Sequence, residues 1–305
     1  MRREVRTVIK QDVYQTAGVQ YLEKKHPLEY DSAVLHLDSI ELSGAAPEKN
    51  ILLVHGVTYS SHEFDINYKD YSLVRRLAGE GYRVWRLDIM GYGQSSAVDD
   101  GFMPDSNYAA ENIAAAVDRI LYETGKKKID LLGWSWGTIT AGRFAARHPD
   151  QINRLVLYAP ILCGLGQEEI TEPFHHNSWE HAVEDFQKSA DGALDYTMID
   201  PVFVEVYCSG CWHYDGEFSP NGGRRDLCVD RSEMLIDLTG IRMPTLIICG
   251  DRDPYLNNVL VNSCLKDLPA TSELKVIEGG SHVVFVEKPY YHAFQDSLIA
   301  FLKKE

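Results

Sequence analysis

Leu131-Leu132-Gly133-Trp134-Ser135-Trp136-Gly137 reads as the end of a buried strand, a sharp turn with a serine at its tip, and the start of a helix. Upstream, Lys128-Ile129-Asp130-Leu131-Leu132 is a short apolar run with a β-branched member. Downstream, residues 138–147 pass through Ala141, Ala145 and Ala146, small side chains that suit a helix packed closely on a sheet. Gly133 and Gly137 flank Ser135 at two residues on each side, and a G-x-S-x-G pattern between strand and helix is the context of a nucleophile elbow. The chemistry calls for this arrangement. A side chain at the tip of so tight a turn sits on strained backbone, and neighbours without a Cβ let the chain pass itself closely. The helix that follows aims free N–H groups and its positive dipole end at the same spot, where negative charge on oxygen is stabilised. The five letters also occur in ordinary glycine-rich turns; the strand and helix around them favour the nucleophile.

Working outward, strands alternate with helices. Ile51-Leu52-Leu53-Val54 is apolar throughout, as a strand buried on both faces should be. Residues 71–79 have helical spacing, 82–87 alternate as a strand, and 107–124 form a long amphipathic helix with Ile113, Val117, Ile120 and Leu121 inward. Beyond the elbow, strands are expected at 154–159, 244–249 and 273–277, with helices at about 257–266 and 289–303. Val5-Arg6-Thr7-Val8-Ile9-Lys10, Ala33-Val34-Leu35-His36-Leu37 and Ile40-Glu41-Leu42 look like antiparallel edge strands laid before a parallel core. The pattern predicts an α/β fold, a mostly parallel sheet with helices on both faces.

One connection is too long for such a fold. Roughly eighty residues separate the strand ending at Ala159 from the one beginning at Pro244. The segment is rich in aromatics, including Trp179, Phe186, Phe203, Tyr207 and Trp212, with short helices suggested around Val183-Phe186-Gln187 and Val202-Val206-Tyr207. It reads as an inserted cap over the active face at 161–239, with 1–160 and 240–305 forming the core; a separate helical module is the alternative.

The 305 residues are 45% hydrophobic and 25% charged, an ordinary globular balance, and the net charge of −15 argues against nucleic acid or an anionic membrane surface as partner. No apolar run approaches a membrane span, and the first residues lack the apolar stretch of a signal peptide, so a cytoplasmic protein is expected. Cys208-Ser209-Gly210-Cys211, with His213 and Cys228 near, has neither a second pair at finger spacing nor a convincing βαβ context. Free thiols, and no metal, are expected there.

Open parallel sheets bind ligands at the carboxyl ends of their strands. Four loops hold that position: His55-Gly56-Val57, the elbow, Gly250-Asp251-Arg252-Asp253 and Gly279-Gly280-Ser281-His282. Serine is a weak nucleophile at neutral pH; it needs a base in hydrogen-bond reach, and the base needs an orienting carboxylate. Ser135, Asp253 and His282 supply these parts in the chain order of an α/β hydrolase. Asp251 competes with Asp253, which is favoured because it lies farther out along the loop. His282 could instead be a structural loop histidine, although no other histidine stands at a late strand end beside a glycine pair. The backbone N–H groups of Val57 and Trp136 are the expected oxyanion donors. The Trp136 ring either lines the acyl pocket or packs beneath the helix. Candidates for the substrate pocket are His55, Tyr59, Trp134, Trp179, Tyr207 and Trp212.

With these residues in hand, the chain resembles the α/β-hydrolase superfamily over nearly its whole length. The matches are His55-Gly56, Asp88-x-x-Gly91-x-Gly93-x-Ser95, Gly133-x-Ser135-x-Gly137, Gly250-x-x-Asp253 and Gly279-x-Ser281-His282. The resemblance implies about eight strands, a triad of Ser135, Asp253 and His282, no cofactor, and a lid after the sixth strand. The loop from His55 to His62, the Gly133-Trp134-Ser135-Trp136-Gly137 elbow and the aromatic insert further resemble the serine-dependent macrolide esterases, which open the lactone ring of macrolide antibiotics. The expected activity is hydrolysis of a bulky, apolar ester or lactone through an acyl-enzyme. Thioester or carbon–carbon bond hydrolysis on the same triad, and a non-catalytic ligand-binding protein of this fold, are the alternatives.

Overall fold

The computed structural model describes residues 10–16 and 18–304. The strand expected at 5–10 lies outside them except for its last residue. Four strands come first, β1 (Lys10–Thr16), β2 (Val19–Lys25), β3 (Leu28–Tyr30) and β4 (Ala33–Leu42), all paired antiparallel. The core then alternates through β5 (Lys49–Val54), α1 (Leu73–Gly79), β6 (Tyr82–Asp88), α2 (Ser106–Thr124), β7 (Ile129–Trp134), α3 (Trp136–Arg147) and β8 (Ile152–Tyr158). An insert carries β9 (Phe174–His176), α4 (Trp179–Ala182), α5 (Pro201–Tyr214), β10 (Phe218–Pro220) and α6 (Gly222–Asp226). The chain returns through β11 (Thr245–Gly250), α7 (Asn258–Cys264), β12 (Glu273–Ile277) and α8 (Tyr291–Leu302).

The main sheet runs β1-β2-β4-β6-β5-β7-β8-β11-β12, with β3 on β4 as its tenth strand. From β6 to β12 every pair is parallel, and β4 joins β6 antiparallel. The two strands beyond the expected eight are additions at the antiparallel end. The alternation along β5 sets its place: Ile51 and Leu53 point into one core layer, Leu52 and Val54 into the other, and all four are fully buried. Each such side chain contributes about 1.5–3 kcal/mol of burial. The first layer is closed by α1 and α8 through Leu73, Leu77, Phe294 and Leu298, the second by α2 and α3 through Ile113, Val117, Ile139 and Phe144. α2 starts cleanly because Asp105 accepts from the Asn107 and Tyr108 amides, and stops at Gly125, whose φ of 66° suits a residue without a Cβ.

In the insert, α5 covers the expected helix around Val202, whereas no helix forms at Val183-Phe186-Gln187: the single turn of α4 stops before it, capped by Val183, and the chain continues in turns. Among the described residues no helix is long and apolar enough to cross a membrane.

Candidate active site

The turn from β7 into α3 puts Ser135 at φ 55° and ψ −122°, a region a non-glycine residue rarely occupies and one associated with functional strain. A Cβ at Gly133 would stand 2.1 Å from the Gly137 carbonyl oxygen, and a Cβ at Gly137 would stand 2.5 Å from the carbonyl oxygens of His55 and Val54. Both glycines are therefore imposed by close backbone approach. The turn is held by the Ser135 amide on the Tyr158 carbonyl at 3.0 Å and by the Thr138 hydroxyl on the Ser135 carbonyl at 2.6 Å.

The loops after β11 and β12 close on each other: a Cβ at Gly250 would stand 2.1 Å from the Gly280 carbonyl oxygen. Asp251 accepts the Gly279 amide at 2.6 Å and so ties the two loops together. Glu287 accepts the Ser281 amide at 3.2 Å, and the Tyr158 hydroxyl donates to the His282 carbonyl at 3.2 Å. Within this frame His282 Nδ1 lies 2.8 Å from Asp253 Oδ2, and His282 Nε2 lies 2.9 Å from Ser135 Oγ. A proton on Nδ1 is donated to the carboxylate, which leaves Nε2 to accept from the serine hydroxyl. All three side chains are buried. Burial alone would lower the His282 pKa, but the charge and hydrogen bond of Asp253, helped by Asp185, outweigh it and hold the imidazole above its ordinary value.

Trp136 is the first residue of α3, where a backbone N–H has no partner within the helix. Val57 follows Gly56, at which a Cβ would stand 3.5 Å from the Ser135 Cβ. The Trp136 ring is fully buried and donates to the Ser106 hydroxyl at 2.8 Å, so it packs beneath the helix instead of lining an acyl pocket.

A cavity of ≈ 330 Å³ opens over Ser135 and His282. Val57, Tyr59, Trp134 and Tyr207 line it, and the other three pocket candidates do not. His55 is fully buried below the loop: its Nδ1–H donates to the Gly56 carbonyl at 2.7 Å, and its Nε2 accepts the Ile89 amide at 3.0 Å. Burial pushes its pKa down against the pull of Asp88, in keeping with a neutral ring that braces the loop. Trp179 and Trp212 lie on the outside of the insert, 40% and 45% exposed. On α5 the buried positions are Phe203, Val204, Tyr207, Cys208 and Cys211, a helical stripe that turns Trp212 outward.

Sequence reasoning missed the polar members of the lining: Glu63, His175, His181, Asp185 and Arg224. They carry no motif: Glu63 is buried under the insert, and the other four are half-buried side chains of the insert itself. The lining is thus more polar than the aromatic composition led us to expect. Cys208 and Cys211 are buried free thiols in an apolar cluster, and Cys228 is a half-buried one. Among the described residues no three His, Cys, Asp or Glu side chains converge as a set that could hold a metal ion.

A family model described as alpha/beta hydrolase fold matches residues 49–200. A proline iminopeptidase of Lactobacillus helveticus is 27% identical over 271 residues, covering 78% of this chain and 85% of that protein. A haloalkane dehalogenase of Agrobacterium fabrum is 28% identical over 140 residues, 46% of this chain and 41% of that protein. Among solved structures, the enol-lactonase from Burkholderia xenovorans LB400 superposes with a TM-score of 0.67 at 20% identity, covering 92% of this chain and 100% of the other. The names of these proteins span several reactions, and what they share is the fold. The sheet order, the elbow and these matches together show that the chain has the α/β-hydrolase fold.

Proposed function

We propose that the protein hydrolyses a carboxylic ester or lactone of a small molecule through an acyl-enzyme. The supporting observation is the hydrogen-bonded row Asp253, His282, Ser135 at the floor of a cavity. In this reading Ser135 Oγ attacks the substrate carbonyl and passes its proton to His282 Nε2. Asp253 steadies the imidazolium, and the Trp136 and Val57 amides hold the oxyanion, each such donor being worth about 10²–10³ in rate. His282 then protonates the leaving oxygen, and a water that gives its proton to His282 releases the acid. Residues 161–239 act as the cap.

A macrolactone is the finer reading, supported by the loop and elbow that resemble macrolide esterases. The polar lining suits a lactone bearing oxygen substituents better than a uniformly apolar one. A cavity of ≈ 330 Å³ is at the small end for a ligand site, so a macrocycle enters with the cap displaced. Ser135→Ala should abolish turnover of an activated aryl ester while the circular dichroism of the protein stays unchanged; an undiminished rate refutes the assignment. Mass-spectrometric screening of macrolactones, simple esters, thioesters, diketones and aminoacyl arylamides for a gain of one water then identifies the bond.

A further inference from the structure

Glu63 sits on a short helical turn, Ser61–Phe64, that follows the loop after β5. The turn is rigid. Asp88 Oδ1 takes both the amide and the hydroxyl of Ser61, at 3.0 and 2.6 Å, and Phe64 packs edge-on against Trp134 at 6.3 Å between ring centroids. Glu63 is 2% exposed, yet it lines the same cavity as Ser135 and His282. Its two oxygens differ. Oε1 accepts the hydroxyl of Tyr207, which arrives from α5 of the insert. Oε2 is buried and has no partner.

An ionised carboxylate buried with one hydrogen bond is expensive, so such a group keeps its proton unless a cation stands by. Around Glu63 stand Tyr59 from the core and Tyr207, Cys211, Asp185 and Asp215 from the insert, none of them cationic. Burial pushes the Glu63 carboxyl well above its ordinary range, and the Tyr207 hydrogen bond opposes this while Asp215 and Asp185 add to it. Because Tyr207 already donates to Oε1, the acid proton belongs on Oε2. A buried O–H without an acceptor is costly, so a ligand atom that reaches Oε2 when the insert, and Tyr207 with it, shifts would be held there.

We propose that Glu63 is a substrate-positioning residue, a carboxylic acid whose Oε2–H donates a hydrogen bond to an acceptor oxygen of the substrate, a ketone, ether or hydroxyl remote from the scissile carbonyl. The inference deepens the hydrolase reading and rests on it for the word substrate. It narrows the substrate class to esters or lactones that carry such an oxygen, and it gives Tyr207 the part of orienting the acid.

The test compares two activated esters that differ only in the acyl chain, one bearing a keto or ether oxygen and the other its all-carbon isostere. Wild type should prefer the oxygenated ester in kcat/KM, and Glu63→Leu should shrink that preference about tenfold, mainly through KM. Glu63→Gln, whose amide still donates, should restore most of it. The preference is a ratio, so it does not depend on the fraction of folded enzyme. Equilibrium binding of the corresponding unreactive amides to the Ser135→Ala protein, with and without the Glu63 changes, reads the same ratio without turnover. A failure of the ester chemistry is thereby distinguished from a failure of this proposal. No preference in wild type, a preference that survives Glu63→Leu, or a loss with Glu63→Gln equal to that with Glu63→Leu overturns it; the last would mean that a carboxylate facing a cation is what matters.

Discussion

At the scale of single residues, the proposed chemistry turns on His282. Its imidazole must be neutral at Nε2 to accept the Ser135 proton, and Asp253 holds its pKa above the ordinary value of 6.5. The sign follows directly: kcat/KM should fall as pH drops through a midpoint above 6.5, because the protonated ring cannot act as base. In Asp253→Asn the charge is gone and burial remains, so the midpoint of the acid limb should move down. The rate should also drop roughly ten-thousandfold as the wrong tautomer is favoured. A pH–rate profile of both proteins checks this, and a midpoint that stays in place would separate Asp253 from the base. The meeting of these side chains was legible in the sequence because glycines stand beside Ser135 and His282 where backbones nearly touch. His55 occupies the same kind of strand-end position and was misread. Nothing in the letters distinguishes an imidazole that faces a cavity from one that braces a loop through Gly56 and Ile89.

At the scale of elements, the apolar runs gave β5, β7, β8 and β11 directly, since a strand buried on both faces admits little but Val, Ile and Leu. The antiparallel end was harder. β4 was read as two runs because Asp38 and Ser39 interrupt the pattern, and the structure shows why they are allowed inside one strand. Asp38 takes Arg86 Nε and Nη2 at 2.9 and 2.6 Å, and Ser39 meets His26 Nε2 at 2.9 Å. Partners fifty residues away along the chain, or across a neighbouring strand, cannot be read from local alternation. Helix starts are the opposite case, because their cause is local. Asp105→Ala removes the acceptor of the Asn107 and Tyr108 amides at 2.9 and 2.8 Å and should cost about 1 kcal/mol, lowering Tm by about 2 °C, with Asp105→Ser close to wild type. Thermal melts of the three proteins decide it.

At the scale of the whole molecule, the insert is fastened to the core by polar contacts as well as by the packing of Phe203 on Tyr71. Asp215, at the end of α5, accepts the Ser60 and Gly93 amides at 3.1 and 3.0 Å. Gln187 donates to the Gly279 carbonyl at 2.9 Å and to Glu287 Oε1 at 2.7 Å, bridging the insert to the loop that carries His282. No hydrophobic period encodes such bonds, which is why the length of the insert was plain from the sequence while its seating, and the polar wall it gives the cavity, were not. If a bulky substrate enters only when the insert lifts, the bridge at Gln187 opposes entry. Gln187→Leu gives up two hydrogen bonds of about 1 kcal/mol each in net terms and should lower global stability little, since opening here is local. Amide hydrogen exchange in residues 182–188 should quicken, and kcat/KM for a bulky ester should rise relative to that for a small one. Unchanged exchange together with an unchanged ratio would mean that the insert is not held shut at this point, and that access to Ser135 is governed by the packing around Phe203.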